Sequence, residues 1–294
     1  MSLNVYALGA SRNIGYHAAL RLLRKGATVT FLLRSLSTLE GDENLRPFVQ
    51  DGKVHLVSGD ALNKEDVTRG WKTAQEASES GRIDLVLFTV GGKPHWHLWK
   101  GFQLSTIDLC TRSFLNLLAA LKTFESSSAP QPKLIVLSSI GITHQSHLNL
   151  PFLLKPFYGY LLQGPHTDKL GLERVLAYST GWDWSDHKSD QPEPHILPAD
   201  WTSKFNGIGE DGSGIKSGWL KHLVVVRPAL LTSGVCRADV PAANENGKKE
   251  PYRTKEGDLG NGYTVSREDV AHFIVEGVLA HWEEYENKGI GIAY

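Results

Sequence analysis

The most constraining feature of this chain is a short apolar run that turns on two glycines and leads directly into a helix. Residues 5–8 predict a buried strand, and helical spacing starts near His17 and ends near Gly26. A strand, a glycine turn and a helix N-terminus in this order form a site for a pyrophosphate, because free N–H groups and the helix dipole face the anion. The turn residues that we expect to contact a dinucleotide are Gly9, Ser11, Arg12, Asn13, Ile14 and Gly15.

The next strand indicates which dinucleotide is bound. Residues 28–33 are apolar and β-branched, and Arg34 and Ser35 follow them in place of an acid. An acid here binds the ribose hydroxyl of NAD, whereas an arginine accommodates the 2′-phosphate of NADP. Arg12 is expected to reach the same phosphate, since a guanidinium donates paired charge-assisted hydrogen bonds. The alternative is a solvated arginine that merely ends a strand; two converging arginines favour NADP(H).

Apolar runs and helical patterns then alternate along the chain. We predict further strands at 54–57, 85–88, 134–137 and 223–226, and helices over 64–77, 104–124 and 165–181. Such alternation is typical of a doubly wound parallel sheet, a Rossmann-type α/β fold, with ligands beyond the carboxyl ends of the strands. We expect one domain over 1–294, with a small C-terminal substrate lobe at 228–266.

Charge and cysteine content exclude several classes of function. The chain of 294 residues has 31 Lys and Arg against 32 Asp and Glu, a net charge of −1, so neither nucleic acid nor an anionic membrane is expected as a partner. Cys110 and Cys236 fit no metal or redox spacing and are expected to be reduced. With no secretory signal or membrane-length apolar run, a cytoplasmic protein is expected.

Several motifs resemble those of the atypical short-chain dehydrogenase/reductases. Within that superfamily the chain is most similar to the NmrA-like, NAD(P)H-binding branch, which includes the biliverdin-IXβ (flavin) reductases. The resemblance spans nearly the whole chain except the segment between Trp184 and Leu220. Beside the glycine turn, it is carried by residues 59–61, 137–141, 168–173, 226–229 and 264–271.

This resemblance implies roles for individual residues. Ser139 matches the serine that is catalytic or positions substrate; a strand-end turn residue is the alternative. Lys169 matches the lysine that holds the nicotinamide ribose; a solvated side chain is the alternative. The residues implied to contact the adenosine half of the cofactor are Asp60, Ala61, Val90 and Gly91.

One position departs from the family pattern. Where the tyrosine-dependent enzymes have tyrosine four positions before the lysine, this chain has Pro165. Tyr160, His166 or a water molecule would then supply the proton. Packing in the apolar stretch 152–162 is an equally good explanation for Tyr158 and Tyr160.

Two histidine pairs follow strand ends, one at His95 and His97 and the other at His144 and His147. Neither has a recognised metal spacing, so no metal is expected. We interpret His95, Trp96, His97 and His144 as part of an aromatic, partly polar wall of a substrate site. A packed lid loop explains them equally well.

The residues over 183–221 form an insertion between a helix and the sixth predicted strand, far longer than a usual connection. It begins at the edge opposite the cofactor, so an oligomer contact or a partner-binding flap is favoured over a catalytic role. Its aromatic residues argue against disorder.

The sequence thus predicts an NADPH-dependent reductase, an oxidoreductase that transfers hydride to a small, planar or conjugated substrate. A non-catalytic NADP-binding sensor is the alternative, and an epimerase is a weaker third. The helix predicted over 104–124 is compatible with a homodimer, and equally with packing on the sheet.

Overall fold

The computed structural model describes residues 3–92, 95–97, 101–103, 106–125, 129–143, 163–184, 190–206, 208, 212, 214–240, 250–257 and 259–294. Of residues 95–97, 101–103, 163–165 and 204 it describes the backbone alone.

One eight-stranded sheet organises the described chain. Its order is β3-β2-β1-β4-β7-β8-β12-β10, and every neighbouring pair is parallel except β10 with β12. The predicted doubly wound α/β fold is therefore confirmed, with the reversal of strand order between β1 and β4. The strands are β1 Asn4–Leu8, β2 Thr28–Leu33, β3 Val54–Ser58, β4 Leu85–Phe88, β5 His95–His97, β6 Gly101–Gln103, β7 Lys133–Leu137, β8 Leu223–Pro228, β9 Leu230–Thr232, β10 Arg253–Glu256, β11 Thr264–Ser266 and β12 Lys288–Ala293.

Helices cover the sheet. They are α1 Asn13–Arg24, α2 Arg46–Gln50, α3 Lys64–Glu76, α4 Leu109–Thr123, α5 Gln163–Thr180, α6 Arg267–His272 with a π-helical continuation over Phe273–Leu279, and α7 Trp282–Tyr285. The predicted start of α4 at residue 104 is wrong, because residues 106–108 form a bend and turn before the helix. Gly181 ends α5 with a φ of +75°, as a glycine after a helix often does.

Two apolar cores lie on opposite faces of the sheet. Val5 and Ala7 of β1 belong to the core with α1 and α6, whereas Tyr6 and Leu8 belong to the core with α3, α4 and α5. Alternate residues of a strand point to opposite faces, so a strand covered on both sides must be apolar throughout. The leucines that suggested a homodimer are explained in this way, since Leu117, Leu118 and Leu121 are buried within the chain.

The long insertion over 183–221 contributes to the second core. Trp201 and Phe205 are buried, and both rings contact Tyr178 of α5, with a centroid distance of 5.1 Å for Trp201. Leu197 and Ile215 are buried in the same core. The described part of the insertion is therefore structural, and the partner contact expected for this segment stays a prediction.

Two small sheets lie outside the main one. β9 pairs in parallel with β11, which brings residues 264–266 beside 230–232, and β5 pairs with β6 as an antiparallel hairpin. The β6 backbone lies beside α5. None of the described helices combines the length and the apolarity needed to cross a membrane.

Candidate functional site

The glycine turn lies where the strand order reverses. Gly9 has a φ of +77°, and a Cβ added there would lie 2.5 Å from the amide nitrogen of Val90 and 2.6 Å from the carbonyl carbon of Thr89. Only glycine therefore lets the turn after β1 approach the end of β4 this closely. A Cβ on Gly15 would likewise collide with the Thr89 hydroxyl and with Ala10.

The N-terminus of α1 is open to an anion. Among the described residues no side chain caps it, and its first turn contains no acidic residue. Arg12, the residue at the cap position, is extended, and Asn13 has a positive φ of 54°. The first N–H groups of a helix lack partners within the helix, so this end suits a phosphate.

A cavity of about 460 Å³ extends from this turn along the carboxyl ends of the strands. It joins the predicted cofactor residues to Ser139, His166 and Lys169. The residues that line it are Gly9, Arg12, Asn13, Ile14, Gly15, Thr89, Val90, Gly91, Gly92, Cys110, Leu137, Ser138, Ser139, His166, Lys169, Pro228, Ala229, Leu230, Leu231 and Arg267.

Lys169 projects from α5 towards the end of β7. Its Nζ donates hydrogen bonds to the carbonyl oxygens of Ser138 at 2.7 Å and Leu137 at 3.3 Å. Burial lowers the pKa of the Lys169 ammonium, although Cys110, Asp168 and Glu173 act in the opposite direction. The lysine is therefore fixed in the cavity wall rather than solvated.

Ser139 and His166 line the same cavity as this lysine. The Ser139 hydroxyl donates to the Ile140 carbonyl at 3.2 Å, a weak local bond that a ligand acceptor could replace. His166 is one turn before Lys169 on α5, so both side chains share a helix face and line the same cavity.

Asp168 anchors α5 to α4. Its fully buried carboxylate accepts hydrogen bonds from the backbone N–H of Cys110 at 2.7 Å and of Thr111 at 3.0 Å, in the first turn of α4. Burial raises the pKa of this carboxyl despite those bonds. Gly171 permits the close contact, since a Cβ there would lie 2.5 Å from the Thr111 hydroxyl. Asp168 thus helps to fix the neighbouring Lys169.

A second anchor joins α5 to β8. Glu173 accepts hydrogen bonds from Arg227 Nε at 2.9 Å and Nη2 at 2.7 Å. Burial opposes ionisation of this carboxyl, but the Arg227 charge and hydrogen bonds outweigh it and lower the pKa of Glu173. A Cβ on Gly289 of β12 would collide with the Arg227 guanidinium, so a glycine is needed beside the pair.

Of the residues predicted for the adenosine end, Val90 and Gly91 line the cavity, whereas Arg34, Ser35, Asp60 and Ala61 are not among its lining residues. Arg34 and Ser35 are exposed after β2, and the Ser35 and Ser37 hydroxyls are 2.7 Å apart. The Asp60 carboxylate accepts from the Leu62 N–H at 3.0 Å, so it shapes its own turn. The Ala61 carbonyl accepts from Asn116 at 3.0 Å. Ser11 is half-buried in the glycine turn, outside this lining.

Several predicted residues lie outside the described residues or only partly within them. Tyr158, Tyr160, His144 and His147 lie in 144–162, which the structure does not describe. His95, Trp96 and His97 form β5, of which only the backbone is described.

Sequence reasoning did not assign several residues that line the cavity, although the substrate lobe expected at 228–266 contains two of them. Leu230 and Leu231 of β9 and Arg267 after β11 line the cavity, together with Thr89 at the end of β4. The sequence did contain a signal for Arg267. Residues 264–271 belong to the family resemblance, and they place Arg267 at the start of the last long helix.

Sequence comparisons find relatives of low identity. No family model matches the chain. It is 26% identical over 253 residues to "Reductase pytE" from Aspergillus terreus, covering 81% of this chain and 77% of that protein. It is 29% identical over 183 residues to "Oxidase pynE" from Aspergillus niger, covering 55% of this chain and 62% of that one, so this match spans less than two thirds of the relative.

Two solved structures have the same fold at low identity. The anaerobillin reductase ChuY from Escherichia coli O157:H7 matches with a TM-score of 0.53 and 15% identity, covering 98% of this chain and 96% of that one. A short-chain dehydrogenase/reductase variant from Serratia marcescens matches with a TM-score of 0.50 and 14% identity, covering 92% and 88%. The resemblance to the short-chain dehydrogenase/reductases that the sequence suggested is confirmed at the level of fold.

Proposed function

We propose that this chain is an NADPH-dependent reductase that transfers a hydride to a small, planar or conjugated organic acceptor. The observation that carries the proposal is the single cavity that joins the open N-terminus of α1 to Ser139, His166 and Lys169. The names of its relatives, a reductase and an oxidase, support oxidoreductase chemistry.

The residues present fit a dinucleotide. Gly9 has no side chain, so the turn can lie directly against Val90. The uncapped end of α1 offers N–H groups for a pyrophosphate. Arg12 and Arg34 would hold the 2′-phosphate; within the described residues neither forms an ion pair. When bound, NADPH would supply the hydride.

The chain's own side chains would position the acceptor and supply a proton. The Ser139 hydroxyl would donate to an acceptor oxygen that gains negative charge. Lys169, held by the Ser138 carbonyl, would orient the ribose. His166 is the proton donor that we favour among the described residues, because it lines the cavity and an imidazole exchanges a proton near neutral pH.

A dinucleotide sensor is the second candidate. It is favoured by Pro165, which replaces the family's tyrosine, so the usual acid is absent from that position. Such a protein would bind NADP(H) in the same cavity without turnover. The two candidates therefore differ in catalysis and not in cofactor binding.

Calorimetric titration with NADPH, NADP⁺ and NADH tests the cofactor assignment. We expect micromolar binding of NADPH, about −8 kcal/mol, and NADH weaker by about tenfold or more. Arg12→Gln and Arg34→Gln should each reduce this preference. Arg24→Gln is the matched control, because Arg24 is an exposed arginine at the far end of the same helix.

Each outcome is informative. Equal affinities for NADPH and NADH would refute the phosphate site, and no binding would refute the whole proposal. NADPH oxidation with a panel of conjugated carbonyl acceptors then separates enzyme from sensor: turnover that falls in Ser139→Ala and His166→Gln supports the reductase. Tight NADPH binding with no turnover across the panel supports the sensor.

A further inference from the structure

We propose that the acceptor carries a carboxylate or a comparable anionic group, and that Arg267 binds it. This inference rests on the proposed reductase function and names the substrate class of the same cavity. It depends on where Arg267 lies and on the charge of the cavity wall.

Arg267 is the first residue of α6, the helix that packs against α1. β8 continues past Pro228 into β9, and β11 pairs beside β9 with Ser266 opposite Thr232. Arg267 follows directly and lines the cavity with Leu230 and Leu231. Its Nη1 donates to the Ser233 hydroxyl at 3.3 Å, which directs the guanidinium along the β9 edge. An apolar wall with one cation at its edge suits a flat apolar ligand with one anionic group.

The described wall of the cavity is cationic. Arg12, Lys169 and Arg267 line it with His166, and none of its lining residues is Asp or Glu. The two carboxylates whose charges act on Lys169 already have partners: Asp168 accepts from the α4 N–H groups and Glu173 from Arg227. A dinucleotide would use Arg12 and Lys169 in the proposed function, which leaves Arg267 for the acceptor.

The acidic residue next to Arg267 in the chain accepts a hydrogen bond from another segment. This residue, Glu268, accepts from the backbone N–H of Cys236 at 3.2 Å. His17 of α1 lies close to both charges: burial lowers the pKa of its imidazole most, Glu268 raises it, and Arg21 and Arg267 lower it. Among the described residues Arg267 forms no ion pair. A guanidinium in this setting binds a carboxylate through paired charge-assisted hydrogen bonds.

The test compares two flat probes that differ in charge. 2-Naphthoate and 2-naphthamide are each titrated by calorimetry into the full chain saturated with NADP⁺, so that the dinucleotide subsite is filled. We expect naphthoate to bind at least about tenfold more tightly than naphthamide, the size of effect typical of a charge-assisted contact. Equal affinities, including binding of both that is too weak to measure, overturn the inference.

Variants assign the effect to Arg267. Arg267→Gln should abolish the preference for naphthoate and leave NADP⁺ affinity unchanged. Arg267→Lys keeps the charge but loses the paired hydrogen bonds, so it should retain part of the preference, and it guards against a folding defect in the glutamine variant. Lys255→Gln is the control, since Lys255 is an exposed cation on β10.

The readouts separate this inference from the proposed function. Failure of the wild-type chain to bind NADP⁺ would remove the proposed function and this inference with it. Binding of NADP⁺ without a preference for naphthoate would overturn the inference alone. Loss of NADP⁺ affinity in Arg267→Gln would place Arg267 in the dinucleotide site and also overturn it.

Discussion

Glu173 and Arg227 form a two-pronged ion pair that ties α5 to the carboxyl end of β8. The two hydrogen bonds are 2.9 Å and 2.7 Å long, and the Glu173 side chain is only 4% exposed. Lys169 lies one helical turn before Glu173 on α5. The pair therefore helps to fix the helix that presents Lys169 and His166 to the cavity.

Breaking this pair should destabilise the fold strongly. Glu173→Gln removes the carboxylate charge that faces the Arg227 guanidinium, and loss of one charge of a buried pair costs about 3–5 kcal/mol. The free energy of unfolding in urea measures the effect. Glu43→Gln is the control, because Glu43 and Arg46 form a pair with side chains 74% and 57% exposed. Similar losses in both variants would contradict a special role for the buried pair.

The contribution of Glu173 should depend on pH in the acid range. Its pKa is lower in the folded chain than in the unfolded chain, because Arg227 outweighs burial. The pair thus stabilises the fold fully above the ordinary glutamate pKa of about 4.3, and this stabilisation is lost as the pH falls through the folded-state pKa. The wild-type minus Glu173→Gln difference in unfolding free energy should be constant near neutral pH and shrink below about pH 4. A difference that grows on acidification would contradict the sign.

Alanine at the first glycine of the turn should remove dinucleotide binding. In Gly9→Ala the new Cβ would meet backbone atoms of Thr89 and Val90, which cannot move aside as a side chain can. We expect a loss of NADPH affinity of at least about tenfold by calorimetry. Gly52→Ala is the matched control: its φ is +67°, nothing lies within 4 Å, and it should cost about 1–2 kcal/mol of stability and no affinity. Unchanged NADPH binding in Gly9→Ala would show that the turn is only structural.

Removing the Lys169 ammonium should impair catalysis more than folding. Lys169→Met keeps the side-chain length but loses the hydrogen bonds to Ser138 and Leu137. We expect kcat/KM for NADPH oxidation to fall about 10- to 100-fold, since a misplaced cofactor reacts poorly. The melting temperature should fall less than in Glu173→Gln. Lys255→Met, at an exposed position, should change neither. An unchanged kcat/KM would show that Lys169 takes no part in catalysis.

The sequence predicts those features of the fold that depend on residues close together along the chain. The bounds predicted for β2 and β4 match the structure, and the glycine turn lies at the reversal of strand order. The family resemblance selected Lys169, and the structure brings its Nζ to the end of β7. These features depend on strand apolarity, glycine position and helix spacing, all of which are visible in sequence.

Contacts between distant segments could not be predicted in this way. β12 contains two glycines and only short apolar stretches, so nothing local marks it as a partner of β8. Arg267 reaches the cavity only because β11 pairs with β9, and that pairing has no sequence signature of its own. The packing of Trp201 and Phe205 against Tyr178 likewise depends on tertiary structure.

β10, the strand at one edge of the main sheet, has a consequence for assembly. β10 runs against its neighbour β12, and all four of its residues, from Arg253 to Glu256, are exposed. Charged side chains on an edge strand discourage pairing with another chain. Two copies that joined sheets here would have to bury the exposed charged side chains of Arg253, Lys255 and Glu256. This margin of the molecule is therefore unfavourable for growth of the sheet.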